Sequence, residues 1–119
     1  MTHRYFRPTW WVERVTKPAE RLLPAPWIMP ALAWAAHHGD EPELGALARI
    51  VPADRMAVDV GAAEGVYTWR LSRLALSCVA FEPNSESANR IRRRVPSATV
   101  HAVALSDGEG EALCARTGG

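Results

Sequence analysis

The sequence predicts an α/β fold: a parallel sheet of three strands with flanking helices, behind a Pro/Trp-rich N-terminal arm. Three observations carry that expectation. From residue 55 onward, short apolar runs alternate with stretches of helical periodicity, the pattern of right-handed βαβ units. A glycine-containing turn, "VGAAEG", joins the first apolar run to the first of these helices. Seven of the nine prolines and four of the five tryptophans fall in the first 52 residues, so the composition changes near Pro52.

The elements follow in order. Pro8, Pro18, Pro24, Pro26 and Pro30 are spaced to forbid a long helix, so residues 1–30 read as an irregular arm with apolar anchors at Trp10, Trp11 and Trp27. Residues 31–38, "ALAWAAHH", form a short helix ended by Gly39, and the arm is assigned to residues 1–39. Asp40 can cap a helix through "EPELGALARIV", with Pro42 in its first turn and Leu44, Leu47 and Val51 on one face, although Gly45 weakens it. Within the second unit, residues 40–119, the strands are "MAVDV", "SCVAFE" and "ATVHAVAL". Helices are expected over 66–75 and 85–95, the second burying Ala88, Ile91 and Val95.

Composition narrows the function classes. The 119 residues are 48% hydrophobic and 23% charged, as in one ordinary folded domain. A net charge of +1 gives no global attraction to nucleic acid or to a membrane surface. No run reaches the roughly 18 apolar residues of a membrane helix, and "MTHRYFRPTWW" lacks the apolar segment of an export signal. Cys78 and Cys114 lack paired C-x-x-C spacing and read as free thiols, which suits a reducing cytoplasm. His37, His38, Asp40, Glu41 and Glu43 look superficially like metal ligands, but adjacent histidines point to different sides of a helix and nothing completes a site. Arg90, Arg92, Arg93 and Arg94 fall in the last turns of a helix, where cations complement its dipole, so they read as structural and not as a nucleic-acid patch. Glu64 reads as a solvated loop acid at a helix N-terminus.

The chemistry concentrates in "DVGAAEG". Asp59 ends a strand, Gly61 opens the turn, and Gly65 leads into a helix whose free N–H groups face back toward the strand end. That is a place for a ligand lying against backbone at the carboxyl edge of a sheet. A dinucleotide fingerprint would put glycines at positions 61, 63 and 66, where Ala63 and Val66 break it. Asp59 would repel a pyrophosphate but can hold an ammonium group. Glu82 ends the next strand 21 residues after Gly61, where a carboxylate can accept hydrogen bonds from both hydroxyls of a ribose.

Three blocks, "AVDVGAAEGVYTWRLSRL", "VAFEPNSESANRIRRRV" and "TVHAVALSDGEGEA", resemble the start of the FkbM-type S-adenosylmethionine-dependent methyltransferases, a branch of the Rossmann-like class I enzymes. The resemblance runs from about Glu43 to Ala112 with the blocks in the family's order. It implies a Rossmann-like sheet with S-adenosylmethionine as cofactor. Asp59, Gly61, Ala62 and Gly65 would line the methionine half, Glu82 would bind the ribose, and Asp107 or the backbone near Ser106 would sit by the adenine. The acceptor would be a small-molecule or sugar hydroxyl. The family usually carries Asn where Ala63 stands. It also continues into a fourth strand with "K-I-D-x-E-G" and an acceptor-binding half, whereas this sequence reaches Gly119 without that block. The expectation is therefore the cofactor half of an O-methyltransferase, with no catalytic residue assigned. The competing expectations are a non-catalytic remnant that binds cofactor weakly or pairs with another chain, and a nicotinamide-dependent oxidoreductase, which Ala63 and Val66 disfavour. A central strand such as "MAVDV" with a neighbour on one side only leaves a bare edge and, unless the N-terminal arm covers it, implies marginal stability or self-association.

Overall fold

A computed structural model of the chain describes residues 21–39 and 41–111, together with Pro18. Helix α1 (Ala25–His38) leads through a 3-10 turn (Pro42–Gly45) and a short α2 (Leu47–Ile50) into the sheet. There β1 (Met56–Val60), α3 (Val66–Leu74), β2 (Ser77–Phe81), α4 (Ser85–Arg94) and β3 (Thr99–His101) alternate. The strands are parallel in the order β1-β2-β3, with Val58 beside Val79 and Ala80 beside Val100. The fold is thus α/β with a three-stranded parallel sheet, as the sequence pattern predicts, and it is compatible with part of a Rossmann-like fold.

Both crossovers step in the same direction across the sheet. Right-handed connections that do so place their helices on one face, and α3 and α4 share that face. Side chains alternate accordingly. Cys78 and Ala80 of β2 are buried, while Met56, Val58 and Val60 of β1 are 60%, 49% and 62% exposed on the opposite face. The core gathers Met29, Ala62, Ala80, Ala88, Ile91, Val95 and Val100. Ala80 and Ala88 are fully buried, and their small side chains let α4 approach the sheet closely. The expected stripe of Ala88, Ile91 and Val95 is the buried face of α4. Asn84 caps that helix, its side chain accepting a 3.0 Å bond from the Ser87 N–H.

The structure corrects four local expectations. Helix α1 begins at Ala25, not residue 31, and runs through Pro30. Pro26 sits in its first turn, where a missing N–H costs nothing, and a single interior proline removes only one rung of a 14-residue helix. Trp27 is 66% exposed and does not anchor the helix to the described core; Met29, 2% exposed, docks it instead, with Leu32 packed against the core. Trp10 and Trp11 lie outside the described residues. The helix expected over residues 41–51 divides at Ala46 into the 3-10 turn and α2, and Asp40, its proposed cap, lies outside the described residues. Finally, β3 has three residues where eight are expected, because β2, its partner, passes into the Glu82 turn after Phe81 and leaves nothing to pair with residues 102–105. Val103 and Leu105 are accordingly half exposed.

Among the described residues no helix is long and apolar enough to cross a membrane. Cys78 is a free thiol, 2% exposed. Burial, with a smaller contribution from the charge of Asp59, pushes it from an ordinary 9.0 up to about 11. A thiol whose folded value exceeds its unfolded one contributes its full stability below the unfolded value and loses it as pH rises through the folded one. The urea midpoint should therefore hold steady to about pH 9 and fall as pH rises toward 11, with the fall reduced in Cys78→Ala relative to that variant's own neutral-pH midpoint.

Candidate functional site

The turn after β1 is built from three residues in the left-handed region: Gly61 (φ 74°), Ala63 (φ 49°) and Gly65 (φ 84°). The Phe81 carbonyl accepts from the N–H groups of Gly61 and Ala62 at 2.8 and 3.2 Å, and Gly65 N–H closes the turn onto the Ala62 carbonyl at 2.8 Å. The two glycines do different work. A Cβ on Gly65 would lie 3.0 Å from Ile91, so this residue lets the turn seat against α4. A Cβ on Gly61 would meet nothing within 4 Å, leaving open space over the backbone there.

Glu82 holds the turn from the tip of β2. The residue is 8% exposed, with Oε2 accepting from the Ala63 N–H at 2.7 Å and Oε1 from the Asn84 N–H at 2.9 Å. One buried acid thus ties the turn after β1 to the turn after β2. A carboxylate offers about four acceptor positions, and these two bonds leave about half of them for hydroxyl donors. Asp59, on the helix side of β1, accepts a 2.6 Å bond at Oδ2 from the hydroxyl of Thr68, which is fully buried.

Two features here were not anticipated in the sequence. The first is Tyr67, the second residue of α3. Burial raises its phenol from 10.0 to about 12, with further contributions from Glu41, from the charge and hydrogen bond of Glu43, and from Asp59. The signal was its place directly after the loop. The second is an ion-pair clamp. Arg90 bonds both carboxylate oxygens of Glu64 at 3.1 and 3.2 Å, and Arg94 reaches Oε2 at 3.3 Å and the Glu64 carbonyl at 3.4 Å. Glu64 is therefore held to α4 and is not simply solvated, and burial lowers the pKa of Arg94. Arg92 spans the other way, donating to the Val100 carbonyl at 3.2 and 2.7 Å. Three of the four clustered arginines are thus engaged in fixing the turn and β3.

The structure brings Asp59, Gly61, Ala62, Gly65 and Glu82 together around the turn. Their exposures differ: Ala62 turns its side chain into the core, while Gly61 faces open space. Asp107 is exposed in the segment beyond β3, where the Ser106 hydroxyl donates to it at 3.3 Å. His37 and His38 belong to α1; His38 stacks on Trp34 at 4.6 Å, and the His37 ring fills the space a Cβ on Gly45 would need. Among the described residues no group of three His, Cys, Asp or Glu side chains could hold a metal ion. Compared with known proteins, the chain matches no family model, no curated protein and no solved structure.

The turn makes graded predictions. Gly61→Ala should cost about 1 kcal/mol of backbone strain, and Gly65→Ala clearly more because strain and the Ile91 contact add. Ala63→Gly should stabilise by roughly 0.5–1 kcal/mol by relieving the left-handed backbone at residue 63. Glu82→Gln should cost about 2 kcal/mol, since its amide nitrogen must face one of two N–H donors. Urea denaturation of the four variants gives the order directly.

Proposed function

We propose that the 61–65 turn and Glu82 bind S-adenosylmethionine in the manner of the FkbM-type methyltransferases that the sequence resembles. The observation that supports this most is Glu82: a buried carboxylate at the end of β2, beside an open glycine backbone, with acceptor positions left for a ribose diol. The charge pattern supports the same ligand. Asp59, Glu41 and Glu43 surround Tyr67 with negative charge at the strand end, which favours an ammonium or sulfonium group and disfavours a pyrophosphate. The two arginines of α4 that reach the turn are already engaged, Arg90 with Glu64 and Glu86 and Arg94 with Glu64.

In this reading Glu82 orients the ribose, the Gly61 backbone gives the ligand close approach, and Asp59 holds the amino-acid end with its remaining acceptor positions. The cofactor supplies an electrophilic methyl group for in-line displacement by an acceptor hydroxyl of a small molecule or sugar. Alignment of this kind contributes on the order of 7–11 kcal/mol to such a reaction. The protein's part is that alignment, and no residue is assigned as a base. The buried free thiol of Cys78 supports a reducing, cytoplasmic setting.

Calorimetric titration with S-adenosylhomocysteine tests the reading. Saturable heat is expected, weakened at least tenfold in Glu82→Gln and in Gly61→Ala, both checked for native circular dichroism. NAD should give no heat under the same conditions. A folded chain that gives none at millimolar S-adenosylhomocysteine would overturn it.

A further inference from the structure

Glu64 stands at the centre of the turn, between two residues in the left-handed region, Ala63 (φ 49°) and Gly65 (φ 84°). Local preference does not hold such a backbone. The left-handed region is disfavoured for a residue with a Cβ, and glycine has many other conformations open to it. Glu64 is instead held from α4 at both its side chain and its backbone. Arg90 donates to the two carboxylate oxygens at 3.1 and 3.2 Å, and Arg94 donates to Oε2 at 3.3 Å and to the Glu64 carbonyl at 3.4 Å. The contact at the carbonyl orients the peptide plane between Glu64 and Gly65, and with it the φ that seats Gly65 against Ile91.

The two arginines contribute unequally. The Arg94 side chain is 8% exposed and that of Arg90 25%, against 42% for Glu64. Water and salt screen the outer pair, so Arg94 supplies most of the constraint. Arg90 is presented to the turn along its own helix by Glu86, four residues earlier, at 3.6 Å. Both arginines approach from α4, the side on which a Cβ at Gly65 would meet Ile91, whereas the open space lies over Gly61.

We propose that Arg90 and Arg94, acting through Glu64, are positioning residues that hold the 61–65 turn in its ligand-ready form before a ligand arrives. This role rests on the turn being the S-adenosylmethionine site and adds to it residues that touch no ligand. A site whose competent form is fractionally populated binds more weakly by that fraction, so a turn ordered about one part in ten without the clamp loses about tenfold in affinity.

The test uses the full chain, S-adenosylhomocysteine as the probe and variants checked for native circular dichroism. Titration calorimetry should show Kd raised about tenfold in Arg94→Met, about fivefold in Glu64→Gln, which keeps the carbonyl contact, and about threefold in Arg90→Met. Arg90→Met/Glu64→Gln should stay within about twofold of Glu64→Gln alone, since the two changes remove one tie. In the unliganded chain, hydrogen exchange of the Ala63 and Gly65 amides should be about tenfold faster in Arg94→Met, with the Leu76 and Ala88 amides, bonded to the Arg55 and Asn84 carbonyls, unchanged. Should Arg94→Met not fold, the half-exposed Glu64→Gln gives the same readouts. A merely structural tie would lower the urea midpoint and leave Kd and the two turn amides unmoved, which would overturn the proposal. So would effects that multiply in the double variant. An unmutated chain that gives no heat removes the site itself, a failure visible before any variant is made.

Discussion

The handedness of the two crossovers governs most of this structure. Because β1-α3-β2 and β2-α4-β3 both step the same way, right-handed connections must place α3 and α4 on one face. The core is therefore a single layer between that face and three helices, with α1 completing it through Met29. Small residues make the layer thin: Ala80 and Ala88 are fully buried, and bulk is supplied by Ile91 and Val95 from α4. The opposite face follows from the same geometry. Met56, Val58 and Val60 have the composition of an interior strand and the surroundings of a surface one.

That one-sided core explains why the turn after β1 needs so much fixing. The turn lies at the end of the outer strand, with a neighbour on one side only, so local backbone preference cannot hold three left-handed residues there unaided. The ties come from the interior side. Glu82 binds the turn from β2, Gly65 seats it against Ile91, and Arg90 and Arg94 hold Glu64 from α4. Ala63 is the local cost, a residue with a Cβ in a region that favours glycine or asparagine, stabilised by the charge-assisted bond its N–H gives to Glu82.

Much of this was legible in the sequence, and the physical reasons differ by element. Met56–Val60 and Ser77–Phe81 were readable because a parallel strand is a short apolar run bounded by turn residues. Helix α4 was readable because Ala88, Ile91 and Val95 recur at helical spacing beneath a charged face. Helix α1 began earlier than its prolines suggested because a first-turn proline is neutral, and proline spacing alone does not tell a first turn from an interior one. The length of β3 was unreadable because "ATVHAVAL" alternates well beyond the point where its partner turns away. Asp59, Gly61 and Glu82 could be singled out by position. That Glu64 would be claimed by Arg90 and Arg94 could not, since the contact spans 26 to 30 residues and depends on how α4 lies over the turn.

Strand β1 presents two different sets of groups on its two sides. Odd-numbered positions of β1 face inward: Ala57 and Asp59 bond β2, and Asp59 turns its carboxylate toward Thr68 and the start of α3. Even-numbered positions face outward in both backbone and side chain. The period of two thus separates the groups that fix the turn from those on the uncovered face of the sheet.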